Sequence, residues 1–183
     1  PAAHCEPATI SPADIGNAFL AVRAALVESV VSSFNRGSTS ARIVLPTATV
    51  PPGTDPVAAF EPYLKFYQAH QRQMDYQIQL LHTQAREAAA ALSVPLAKLV
   101  VLDEALEDTL SLLARKSLAL LPRVLGRRFA QLVPAEVPAD NTQPPASDDR
   151  SRAIQRFTAD MQEMLLAEIE ARLLPVWGLV EAI

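Results

Sequence analysis

The candidate soft ligands and nucleophiles in this 183-residue chain are three histidines, His4, His70 and His82, and one cysteine, Cys5. A protein zinc site gathers four such groups, usually from a C-x-x-C or H-E-x-x-H spacing. Neither spacing occurs. His70 and His82 stand twelve residues apart, which on a helix leaves them about 120° off a shared face. His4 and Cys5 form an isolated pair near the start of the chain. The five glycines are scattered, so no loop can bring successive backbone N–H groups onto a phosphate. There is no G-x-S-x-G elbow, and Cys5 has no base partner in any recognisable pattern. The acidic run Asp103, Glu104, Glu107 and Asp108 has the right groups for acid–base work or divalent-metal binding. A carboxylate-bridged metal site in a bundle also needs Glu-x-x-His pairs, and these are missing. The run is expected opposite the leucines Leu99, Leu102 and Leu106, on a solvated helix face. The sequence therefore reads as non-enzymatic, without cofactor, metal site or small-molecule substrate.

Two other groups of residues are suited to recognition. The basic residues Arg115, Lys116, Arg123, Arg127 and Arg128 include a stripe, Lys116, Arg123 and Arg127, spaced for one face of a continuous helix. Such a stripe can meet phosphate, anionic lipid or an acidic partner. It carries no interleaved aromatics, which argues against nucleic acid. The acidic run of a second copy could equally pair with it. The aromatic residues Phe60, Tyr63, Phe66 and Tyr67 are dense for this chain. They read either as an exposed docking patch or, more strongly, as core where the first helix crosses the second. Gln71 is the one polar residue in an otherwise apolar seam, a position that either sets register or partner choice or, more often, marks where the seam reaches solvent.

These residues belong to helical segments. Ser11-Pro12-Ala13-Asp14 is a helix start, with Ser11 as cap and Pro12 in the first turn. Ile15, Phe19, Val22, Leu26, Val30 and Phe34 then follow on one face, with Gly37 as the stop. A second helix begins after Asp55-Pro56, with a break expected at Glu61-Pro62, and runs to about Leu92. Its residues Phe60, Leu64, Tyr67, Gln71, Met74, Ile78, Leu81, Ala85, Ala88 and Leu92 alternate steps of four and three, the 3.5-residue period of a seam facing another helix. Ser93-Val94-Pro95 interrupts it, and so short a connection predicts an antiparallel hairpin of residues 62–92 with 95–121. Leu99, Leu102, Leu106, Leu110, Leu113, Leu120 and Leu121 give the third helix its stripe. Pro122 should kink it or start a new segment over 123–133. A last helix carries Ile154, Phe157, Met161, Leu165, Ile169 and Leu173 and is expected to break at Pro175. No stretch alternates as a strand does.

The domain plan is thus a disordered tail at 1–10, a helical bundle at 11–133 with a loop at 37–55, a Pro-rich linker at 134–147, and a C-terminal helix at 148–183. That helix packs on the bundle or on a second copy. The fold class is all-α, an elongated bundle built on a long antiparallel hairpin. Half the residues are hydrophobic and a fifth charged, ordinary for a folded domain. Net charge is −4, too mild for a general polyanion binder. The single cysteine excludes an internal disulfide, and the cytoplasm is the default compartment. The apolar stretch 110–125 is interrupted by Arg115, Lys116 and Arg123, so no transmembrane segment is expected. The start at Pro1 suggests a piece of a longer protein.

The segments AFEPYLKFYQAHQRQM (59–74), LDEALEDTL (102–110), PRVLGRRF (122–129) and MQEMLLAEIEARLLPVWGLVEAI (161–183) resemble a proteobacterial family of unknown function. The resemblance supplies no catalytic residues. It implies a bacterial helical domain, lacking here a further N-terminal stretch, and an accessory role beside an envelope-associated assembly. The function expected is protein–protein interaction or scaffolding, with self-association into a homo-oligomer. The alternative is an anionic-surface binding module using the basic stripe, and peripheral membrane contact belongs to that alternative.

Overall fold

The structure, a computed structural model, describes residues 11–35, 42–47, 54–133 and 147–183. The expected tail at 1–10 with His4 and Cys5, Gly37 with most of the 37–55 loop, and nearly all of the 134–147 linker lie outside them. Five helices pack together, and the described residues contain no strand.

α1 spans Pro12–Phe34. Ser11 caps it: its hydroxyl accepts from the Asp14 N–H, and the Asp14 carboxylate accepts from the Ser11 N–H in return. α2 spans Pro56–Leu92, capped by Asp55. α3 spans Val94–Leu118, capped by Ser93, whose hydroxyl accepts from the Leu96 N–H. One residue therefore both ends α2 and starts α3, which forces the tight hairpin. α4 spans Leu121–Leu132 with Pro122 in its first turn, and α5 spans Ser147–Ala182.

Contacts fix the directions. Ser29 meets Gln73, Ser33 meets His70, and Phe34 meets Phe66. α1 therefore runs antiparallel to α2. Tyr63 meets Phe157, Tyr67 meets Glu168, and Asp75 meets Arg172, so α2 and α5 run parallel. α3 returns along the C-terminal half of α2, and α4 continues along its N-terminal half and packs on α5 as well. The result is a four-column, up-down-up-down bundle whose third column is divided at Ala119-Leu120. The apolar stripes of α1, α2 and α5 fill its centre. Every residue of the α5 stripe from Ile154 to Leu173 is buried, and burial continues through Val176 and Leu179.

Two expected breaks do not occur. α2 runs straight through Pro62, and α5 through Pro175. A proline inside a helix deprives the carbonyl four residues earlier of its donor. Those carbonyls belong to Ala58 and Ala171, both on exposed faces, where water can replace the bond. Residues 13–34 are long and apolar enough, by length and composition, to cross a membrane. In this fold Ile15, Phe19, Leu26 and Val30 of that helix pack into the core. Arg23 and Glu28 interrupt its apolar run. Ile43 and Leu45 lie partly buried against the bundle.

Candidate interaction face

The aromatic group is internal. Tyr63, Phe66 and Tyr67 are buried, and Phe60 is half-buried. Phe60 and Tyr63 both meet Phe129 and Phe157, and those two rings meet edge-on at 5.0 Å. Phe66 packs edge-on to Phe34 and His70. The docking-patch reading of Phe60, Tyr63, Phe66 and Tyr67 is therefore corrected: four columns converge here, and the rings are the widest groups able to fill the junction. Gly126 lets α4 approach, since a Cβ there would lie 3.1 Å from the Phe60 ring.

Gln71 belongs to an internal polar cluster. Its amide donates to Glu168 at 2.9 Å, as do the Tyr67 hydroxyl at 2.6 Å and two nitrogens of Arg172 at 2.8 and 2.6 Å. Arg172 also pairs with Asp75. Glu168 is 2% exposed, and four donors reach its carboxylate, three on one oxygen and one on the other, which offsets the cost of burying the charge. Burial, together with the Glu168 carboxylate, pushes the Tyr67 hydroxyl far above the ordinary phenol range. Tyr67 is thus a permanent donor. This cluster locks α2 to α5 in register. It was not foreseen, because the glutamate and the arginine lie about a hundred residues from their α2 partners and no spacing links them. A second buried group, His70, sits 2.9 Å from the Ser33 hydroxyl. Burial lowers its pKa from 6.5 to about 4, so the ring is neutral at pH 7.

α3 is held differently. Arg86 reaches Asp103 at 2.6 Å and Glu107 at 2.7 Å, and His82 lies 2.9 Å from Asp103. Half of the acidic run therefore faces α2 rather than solvent, while Glu104 and Asp108 face outward. Charge pairing on that side rotates the leucines away from the bundle. Leu99 is partly buried, but Leu102 is 56% exposed, Leu106 48%, Leu110 54% and Leu113 61%, with Val101 and Leu112 similarly open. The buried seam expected of this helix is corrected to an exposed ridge. α3 packs extensively only on α2. A groove of about 500 Å³ separates its second half from α5, floored by Ile78 and His82 and walled by Leu106, Leu110, Leu174 and Val176.

The basic stripe is divided. α3 ends at Leu118 and α4 begins at Leu121, so Lys116 lies on one helix and Arg123, Arg127 and Arg128 on the next. Arg128 pairs with Asp160 of α5 at 2.8 Å and so helps to pin α4. Lys116, Arg123 and Arg127 stay exposed, but they do not form one face of a continuous helix. Among the described residues, no group of three or more His, Cys, Asp and Glu side chains is placed to hold a metal ion.

Comparison with known proteins gives one match. The family described as "Protein of unknown function (DUF3348)" covers residues 1–183. The chain belongs to that family. No curated protein and no solved structure matches it.

Proposed function

We propose that this member of the DUF3348 family is a non-enzymatic helical interaction protein that self-associates through the outward face of α3. The observation that carries this reading is the exposed apolar ridge. Half-exposed leucines each forgo on the order of 1 kcal/mol of available burial, and soluble monomers rarely gather so many in one patch. Removing that patch from water by association recovers the deficit. The fold supports the role by making α3 a rigid, charge-anchored platform beside a tightly packed bundle.

Sedimentation velocity over a hundredfold range of concentration tests the proposal. The chain should move from monomer to a discrete oligomer, and replacing Leu102 and Leu113 together by Ser should leave it monomeric without loss of helicity. A wild-type chain that stays monomeric at the highest concentration overturns it.

A further inference from the structure

Resting on the self-association just proposed, we infer that two copies meet α3 to α3, antiparallel, about a two-fold axis near Thr109. The outward side of α3 carries its own seam. Leu102, Ala105, Thr109 and Leu112 alternate steps of three, four and three, the 3.5-residue spacing of a helix that faces another helix. All four are exposed. Ala105 and Thr109 are small enough at the middle of this seam to let two backbones approach. Thr109 adds no unpaired polar group, because its hydroxyl donates back to the carbonyls of Leu106 at 2.9 Å and Ala105 at 3.2 Å. Leu106 and Leu113 flank the seam on one side, and Val101 on the other. This is a strip that a second helix can cover whole.

Charge chooses the direction. Glu104, Asp108 and Arg115 project from one flank of the seam, within about 40° of each other at 100° per residue. All three are exposed and form no ion pair among the described residues. Acids stand toward the N-terminal side of Thr109 and the base toward the C-terminal side. In an antiparallel pair, equivalent flanks face each other, so Glu104 of each copy comes beside Arg115 of the other, twice over, while the two Asp108 side chains lie close to the axis. A parallel pair sets this flank against the opposite one, which carries Leu106 and Leu113, so none of the three charges gains a partner. The two-fold arrangement is also closed, since the same strip is used on both copies. It leaves the groove between α3 and α5 outside the interface.

Charge-reversed chains separate this geometry from self-association as such. Glu104→Lys with Asp108→Lys should weaken homodimers by roughly tenfold or more, as should Arg115→Glu alone. Mixing the two variants should restore a one-to-one heterodimer of wild-type affinity by sedimentation. A wild-type monomer overturns both the proposed function and this arrangement. Wild-type assembly with charge-reversed chains that assemble equally well and mix at random overturns the antiparallel pairing alone. Cross-linking supplies an independent readout. In a Cys5→Ser chain, Thr109→Cys should form a disulfide-linked dimer under mild oxidation, whereas Lys98→Cys should not. Equal cross-linking of the two overturns the placement of the axis.

Discussion

The third column of the bundle contains two helices of opposite fate. α4 lies where α2 and α5 both reach it; its apolar residues Leu125 and Phe129 are buried, as is Val133 just beyond its end. α3 lies where only α2 is within close reach, and Leu102, Leu106, Leu110 and Leu113 stay half in water. Helical periodicity is good in both. What differs is the number of neighbours and the chemistry of the surface they offer. α4 meets rings, Phe60, Tyr63 and Phe157, while α3 meets the polar His82 side chain and the Arg86 guanidinium. An aromatic surface draws an apolar face inward. A charged surface draws carboxylates inward and turns the leucines out.

The contrast can be broken most sharply by truncation. Phe129→Ala removes a ring with no exposed surface and should cost about 3–5 kcal/mol of folding stability. Leu113→Ala on the ridge should cost well under about 1 kcal/mol at concentrations where the chain is monomeric. Urea unfolding at low protein concentration measures both, and equal costs would mean that α3 is packed as tightly as α4.

Acid sharpens the comparison from the side of the core. His70 titrates at about 4 in the fold and near 6.5 when unfolded. Below pH 6.5 the unfolded chain takes up a proton that the native ring refuses. The stability contributed by the neutral ring is therefore complete above about pH 6.5 and declines until the pH reaches about 4, by roughly 3 kcal/mol in all. His70→Gln, which keeps a donor toward Ser33 without titrating in this range, should flatten that part of the profile. Urea midpoints at pH 7 and pH 4.5 give the difference. A variant that loses as much stability as the wild type over this interval would show that other groups carry it.

A smaller effect than the loss of Phe129 or the acid shift concerns the anchor of α3. Arg86→Met keeps the apolar stem but leaves Asp103 and Glu107 without their main partner. Because both carboxylates retain some access to water, the cost should be about 1–2 kcal/mol, below that of breaking a fully buried pair. Hydrogen exchange should accelerate in α3 and leave α4 and α5 unchanged. Uniform acceleration would mean that α3 and the bundle open as one unit.

Most of the fold is legible along the chain because its rules are local. Ser11, Asp55 and Ser93 announce three helix starts through their own side chains. The alternating steps of four and three from Tyr67 to Ala88 mark a buried seam, and the stripe from Ile154 to Leu173 marks another. Each depends on residues within a few turns of one another. The prolines misled because their cost depends on whether the freed carbonyl faces water, which is a property of the packed helix. The aromatic residues stood out in the sequence, but their depth depended on Phe129 and Phe157 arriving from two other columns.

What the amino-acid sequence determined alone is the helical character of the chain, its helix starts and the identity of its apolar stripes, since propensity, capping and periodicity act over neighbouring turns. Only the tertiary structure decided which stripes are covered. Glu168 and Arg172 meet Tyr67, Gln71 and Asp75 across about a hundred residues, and Asp103 meets Arg86 across a hairpin. Pairings of this kind set each helix's rotation, and rotation determines whether a leucine ridge faces the core or a second molecule.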